Sequence, residues 1–511
     1  MDPISEVDAA KLGFQNGAQV PDAVACDVVD GAVPSWLTNS LLYRVGPGLY
    51  DIPVGGKKVR HVQHWIDGVG MIHEFHIRDD GSVWYRNRVA AQGHLDAIKS
   101  DMVLPVTFGQ PEDPCVTIFG KAMATMRILV GWARPVLNNG VTVSYLPHPE
   151  TKKPTLAVKT DANVIQLMDA ETLTPTQVVD YGHWDPRIGD PASSSHTEYD
   201  PATGITYNHI SDYPGFNTRM FGIDQDGHVR YAQIETPPRR RASYMHSFGS
   251  TSKYLILAAW PCFIDALKFL QVRNLMESFL WQPEKQTLFY VVDKATMTHV
   301  ATYESTQAFF CFHTVNAFDD GDDIVLDLGY YDNIDVLTTF YVDKLTAPTG
   351  VTLGRHARFH LEAISKTTTA MPYPKVALPV IHNAANYEFQ TINERYRHRA
   401  DYMYVYGAAT SDDAPLFNHL VKMNVETGEV IRWRAGECSF PGEPLFVPHP
   451  TATGPDDGVI LSVVLDGNAK TSFLYVLDAK DFKVIAKVKG PVVVPLGFHG
   501  MFTAKAVKAL P

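Results

Sequence analysis

The sequence predicts an all-β fold of the propeller type, and three observations carry that prediction. Strand-length runs rich in Val, Ile, Tyr, Phe and Thr recur along the whole chain of 511 residues, at 82–89, 254–259, 287–292, 323–328, 402–406, 458–464 and 473–477. Such residues suit a pleated, half-buried surface, and each run is bounded by Gly, Pro, Asp or Asn. Several runs lead into or out of one recurrent turn, as in Asp169-Ala-Glu-Thr172, Asp200-Pro-Ala-Thr-Gly204, Asp293-Lys-Ala-Thr296, Asn424-Val-Glu-Thr-Gly428 and Asp478-Ala-Lys-Asp481. The leading Asp or Asn starts an Asx-type turn, and Gly, where present, supplies a positive φ. The length is the third observation: seven blades would use about 73 residues each, room for four strands and long loops, whereas a two-sheet sandwich leaves most of the chain unexplained.

Helical stretches are few, and two stand out. Residues 263–281 are amphipathic through Phe263, Leu267, Leu270, Leu275, Phe279 and Leu280, and 111–126 form a weaker second case. Pro, Gly and Tyr are spread evenly, so no linker divides the chain and a single domain over 1–511 is expected.

Apolar residues at 45% and charged residues at 20% exclude a mostly disordered chain. A formal charge of -12 argues against nucleic acid as a partner and against a broad basic membrane-docking face, though not against a local apolar patch. The five cysteines, Cys26, Cys115, Cys262, Cys311 and Cys438, form no CxxC pair, which is the usage of a reducing compartment. The acidic N-terminus lacks the basic flank and apolar run of a signal peptide, and no apolar run approaches the length of a membrane span. A cytoplasmic protein is expected.

Among 20 histidines, four share similar surroundings. His196 lies in Ser-Ser-Ser-His-Thr-Glu-Tyr, His246 in Ser-Tyr-Met-His-Ser-Phe, His313 in Phe-Cys-Phe-His-Thr-Val-Asn-Ala-Phe, and His499 in Leu-Gly-Phe-His-Gly-Met-Phe. Apolar and aromatic neighbours place three of these rings at the start of a buried strand. The intervals are 50, 67 and 186 residues, the first two close to one blade and the third to two and a half. One ring from each of four blades can therefore converge on the propeller axis. No HxxxH pair is present, and spacing alone leaves these residues either as a metal cage or as hydrogen-bonded core histidines.

These segments resemble the carotenoid cleavage oxygenase family, whose members cleave carotenoids, apocarotenoids, stilbenes and phenylpropanoids. The likeness runs from about residue 34 to 505. Leu41-Leu-Tyr-Arg-Val-Gly-Pro-Gly48 is similar to the opening strand of the family's first blade. His64-Trp-Ile-Asp-Gly-Val-Gly-Met-Ile-His73 is similar to its F-D-G-D-G-M segment, with Val69 in place of the acidic residue. Asn316-Ala-Phe after His313 and Phe498-His-Gly match its signature. The resemblance implies a seven-bladed propeller with a helical and loop cap over an axial Fe(II) held by His196, His246, His313 and His499. It implies that Asp161, Glu388 and Glu443 accept the second ring N–H of ligating histidines. Asp161 stands where the family has Glu, and its shorter side chain predicts a lengthened or water-mediated bond.

Four neutral imidazoles suit a borderline divalent iron and leave its full charge in place, with positions open for O2. The implied reaction splits one conjugated C=C bond with O2 into two carbonyl fragments, needing no organic cofactor. Stilbene-cleaving members grip a 4-hydroxyl with a Tyr and a Lys. Here Lys159 lies two residues before Asp161, and on a strand the two share a face. Ala122 stands where the Tyr is expected, three residues after Phe119, a candidate substrate contact. On Lys159 the expected substrate is a 4-hydroxyaryl alkene, a hydroxystilbene or an isoeugenol-type phenylpropanoid yielding an aromatic aldehyde. The alternative is a carotenoid or apocarotenoid, which the stretches 113–119 and 160–163 resemble more closely. The helix at 263–281 would then serve as lid or as a weak membrane contact. A propeller acting only as a binding scaffold has no use for four buried histidines with three carboxylate partners.

Overall fold

A computed structural model describes residues 4–504 apart from 57, 101, 103, 105, 111–137, 214, 349–350, 378 and 412–413. The expected helix at 111–126, Phe119 and Ala122 lie outside the described residues. The strands assemble into seven antiparallel blades. Gly500–Ala504, Ser40–Leu49, Val69–Ile77 and Val83–Val89 make the first, and Thr142–Pro147, Pro154–Lys159, Ile165–Met168 and Pro175–Val179 the second. The third follows Glu198–Asp200, Ile205–Ser211, Thr218–Ile223 and Val229–Gln233; the fourth follows Gly249–Ser250, Tyr254–Ala259, Leu288–Asp293 and Thr298–Ser305. Phe310–Asp320, Asp323–Tyr331 and Arg355–Leu361 form the fifth with the long strand Val380–Thr391. That strand continues into the sixth beside Tyr404–Ala409, His419–Asn424 and Val430–Trp433. Leu445–Pro448, Gly458–Asp466, Thr471–Asp478 and Val484–Lys489 complete the seventh.

Both ends of the chain close the ring. The C-terminal strand pairs with Ser40–Leu49 in the first blade, while Val24–Gly31 pairs with Val484–Lys489 in the seventh and with Val83–Val89 in the first. The recurrent turns take one geometry. The residue four past the leading Asp or Asn donates its N–H to that residue's carbonyl and adopts positive φ, as Gly at 204 and 428 but as Leu173, Met297 and Phe482 elsewhere.

The cap differs from the expected single helix at 263–281. Strand Cys262–Ile264, helix Ala266–Val272, helix Leu275–Ser278 and strand Phe279–Trp281 form an excursion from the fourth blade. Arg273 turns left-handed at φ 50, ending the first helix, and buried Asn274 caps the second by accepting the Glu277 N–H. No residue of Ala266–Val272 is buried; Leu267 and Leu270 face outward at 75% and 53% exposure. Asp67 secures the adjoining loop by accepting the N–H groups of Phe108, Gly109 and Gln110 at 2.6–2.7 Å. Among the described residues no helix is long and apolar enough to cross a membrane.

Candidate metal centre

The four histidines come from four blades. His196 precedes Glu198–Asp200, His246 precedes Gly249–Ser250, His313 lies within Phe310–Asp320, and His499 precedes Gly500–Ala504. Each belongs to the edge strand of its sheet or the turn leading into it, so these edges face a common axis. One nitrogen from each ring lies within 4.8 Å of the others. The Nε2 atoms of His196 and His246 are 3.1 Å apart, and those of His313 and His499 are 3.2 Å apart.

Three rings are held from behind. His246 Nδ1 lies 2.6 Å from Asp161 Oδ2, His313 Nδ1 2.8 Å from Glu388 Oε2, and His499 Nδ1 2.7 Å from Glu443 Oε1. The Asp161 contact is direct, so the expected lengthened or water-mediated bond is not what forms. The reason is local: Pro154–Lys159 ends before Asp161, and the acid sits in a turn tied to the Ser193–Ser195 segment. Ser195 donates to Oδ1 through its backbone N–H at 3.1 Å and its hydroxyl at 2.9 Å, while Tyr244 donates to Oδ2 at 2.8 Å. Burial raises the Asp161 carboxyl, but the facing His246 ring and these donors outweigh it and hold it below the usual range. Burial likewise opposes ionisation of Glu443, and His499, Arg44 and the Gly500 N–H prevail.

A carboxylate on Nδ1 places the ring proton there and leaves the Nε2 lone pair bare. Both His313 and His499 are so fixed, and two bare lone pairs 3.2 Å apart repel unless a cation lies among them. Burial and the neighbouring rings push His196 well below its normal value, and burial leads the fall of His499 to about 4, so both present neutral imidazole near neutral pH. Four imidazole nitrogens converging on one point suit a borderline divalent transition ion. The residues present therefore fit a metal. Asp161→Asn, which keeps the size and removes the charge, is expected to weaken metal binding about 10–100-fold by chelator competition; unchanged affinity would show that the Asp161 contact does not matter.

Several partners were not legible in the sequence. Tyr331 donates its hydroxyl to Glu388 Oε1, and Arg44 donates to Glu443 Oε2 at 2.6 Å and to the Phe498 carbonyl at 2.9 Å. Arg44 carried a signal, being the lone charge in the apolar run 40–49, every residue of which is buried. Lys159 is placed differently from Asp161. As the last residue of its strand it is 2% exposed and donates to Thr197 Oγ1 at 2.6 Å; burial lowers it to about 7, with Glu198 opposing. Beside the His246 and His499 rings the wall is aromatic. Phe312 lies 5.5 Å from the His246 ring and stacks on Phe340, and Phe389 lies 5.4 Å from the His499 ring.

The family model described as retinal pigment epithelial membrane protein matches residues 13–504. The chain is 30% identical to the carotenoid dioxygenase of Neurospora crassa over 92% of this chain and 87% of that one. It is 30% identical to the torulene dioxygenase of Fusarium fujikuroi, covering 92% and 89%. With the mitochondrial carotenoid-cleaving dioxygenase of Mustela putorius furo it shares 29%, covering 95% and 94%. Cobalt-substituted Synechocystis apocarotenoid oxygenase superposes with a TM-score of 0.79 at 23% identity, covering 98% of this chain and 99% of that one.

Proposed function

Because this chain belongs to the carotenoid oxygenase family, that of the retinal pigment epithelial membrane protein, we propose that it is an Fe(II) dioxygenase splitting one conjugated C=C bond of a carotenoid or apocarotenoid. The observation that carries this reading is the convergence of four imidazoles from four blades with carboxylates behind three of them. His196, His246, His313 and His499 would hold the iron, which supplies dioxygen activation when bound. In the net reaction one O2 is consumed, the C=C bond breaks and two C=O bonds form, so no external reductant is required. Asp161, Glu388 and Glu443 keep the Nδ1 protons in place and the Nε2 lone pairs turned inward. Phe312 and Phe389 exclude water beside the rings and offer a polyene an apolar wall.

The relatives named for carotenoids and torulene, together with this wall, support a polyene over the 4-hydroxyaryl alkene. The phenolic reading rests on Lys159, whose ammonium is buried against Thr197. Exposed Leu267 and Leu270 on the cap support weak attachment to a membrane surface. Among the described residues Cys26, Cys262, Cys311 and Cys438 are free thiols, which supports a reducing compartment such as the cytoplasm.

Iron-loaded protein is expected to release aldehydes from β-carotene or an apocarotenal and to turn over a hydroxystilbene or isoeugenol far more slowly. Lys159→Met should affect a 4-hydroxystilbene and its 4-methoxy analogue equally. A selective loss on the hydroxylated compound of roughly 10- to 150-fold, the worth of a charge-assisted hydrogen bond, would reinstate the phenolic substrate.

A further inference from the structure

Strand Val380–Thr391 serves two blades. Up to Asn386 it pairs with Arg355–Leu361, and from Tyr387 with Tyr404–Ala409. Just past that handover the register slips. Glu388 opposes Ala408 while Thr391 opposes Tyr406, three steps on one strand against two on the other. Inside the slip Phe389 has φ 57. Elsewhere in this chain bulky residues take a positive φ at turns, but Phe389 does so inside a strand, where glycine is the residue that bulges of this conformation favour.

The consequence is directional. In a regular strand consecutive side chains leave opposite faces, yet Glu388 and Phe389 both reach the same cluster of rings. The carboxylate lies 2.8 Å from His313 Nδ1. The Phe389 ring meets the His499 ring at 5.4 Å and 75°, with the His313 ring at 6.3 Å. Phe417 at 5.4 Å and Trp65 at 6.5 Å also pack against Phe389, which is 6% exposed. Glu443 holds the Nδ1 of His499 while the Phe389 ring meets that imidazole edge to face.

We infer that Phe389 is a positioning residue for the metal: its left-handed backbone lets one strand supply a carboxylate to His313 and an aromatic wedge to His499 from consecutive positions. This rests on the four-histidine reading above. The wedge limits rotation of the His499 ring about its side-chain bonds, a freedom that Glu443, gripping only Nδ1, does not remove.

The test compares Phe389→Gly, Phe389→Ala and Phe389→Tyr with the unaltered chain. Iron affinity is read by chelator competition, ligand geometry by the visible spectrum of the cobalt-loaded protein, and stability by melting of the metal-free protein. Gly and Ala variants should each lose about tenfold in iron affinity and shift the cobalt bands, within the range for losing a group that orients a metal ligand. The Tyr variant should stay within about threefold of the parent. Metal-free Phe389→Gly should melt at or above Phe389→Ala, because only Gly adopts this backbone freely. Parental affinity and spectrum in both the Gly and Ala variants would overturn the wedge. A Gly variant melting below the Ala variant would overturn the strained backbone. His313→Ala serves as control: if it binds iron as the parent does, the four-histidine site falls and this inference with it. If it loses iron while the Phe389 variants match the parent, only the inference falls.

Discussion

His313→Ala is expected to drop the iron content of the protein from near one per chain to near zero and to abolish turnover. His313 is central to the cage. Its Nε2 is 3.2 Å from that of His499, and its ring lies 5.0 Å from the His196 ring and 5.1 Å from the His246 ring. Removing it deletes one of four donors and leaves buried Glu388, among the described residues, with the Tyr331 hydroxyl as its remaining side-chain donor. The loss should exceed the roughly 10–100-fold cost of removing a group that merely orients a ligand. The propeller should survive, since His313 sits in an eleven-residue strand whose ladder to Asp323–Tyr331 does not depend on the ring. Metal analysis and circular dichroism on the same sample separate the two effects. Full iron occupancy in this variant would refute its assignment as a ligand.

Glu443→Ala is expected to cost stability as well as metal, and Glu388→Ala mainly metal. Both acids hold a histidine, but their other partners differ. Glu388 accepts from a neutral Tyr331 hydroxyl, whereas Glu443 neutralises buried Arg44 at 2.6 Å and accepts the Gly500 N–H at 2.8 Å. Removing one member of a buried pair strands the other charge and costs about 3–5 kcal/mol. A buried hydroxyl left without its acceptor costs about 1–3 kcal/mol. Arg44 also donates to the Phe498 carbonyl, so its displacement disturbs the turn that carries His499. Denaturant unfolding of the metal-free variants should therefore place Glu443→Ala well below Glu388→Ala, and Arg44→Met should share the Glu443 phenotype. Equal stability of the two Glu variants would mean that the Arg44 pair contributes nothing net.

Much of the fold was legible because its signals are local. Runs such as 254–259 and 458–464 reappear as strands within a residue or two, and the Asp-led turns fold as expected even where Leu173, Met297 or Phe482 replaces Gly. Closure of the ring was not legible, since the pairing of Val24–Gly31 with Val484–Lys489 joins opposite ends of the chain and leaves no local pattern. The amphipathic run at 263–281 misled because Arg273 ends one short helix and Asn274 starts another, and in the first of them Leu267 and Leu270 face solvent. At the site the four histidines stood out by their flanking segments. The Lys159 argument assumed a strand running through Asp161, but the strand stops at Lys159 and alternation no longer applies. Tyr331, Tyr244 and Ser195 carry no signal of their own: each is a common residue made important by what folds against it.

The most direct test of the whole account is oxygen stoichiometry. Iron-loaded protein is supplied with a carotenoid or apocarotenal in a closed oxygen electrode, and the products are quantified at the end. The account predicts one O2 consumed for each polyene lost, two carbonyl fragments formed, and none of this without iron. A geometric isomer of the polyene formed with no oxygen consumed, or intact polyene recovered from fully iron-loaded protein, would contradict it.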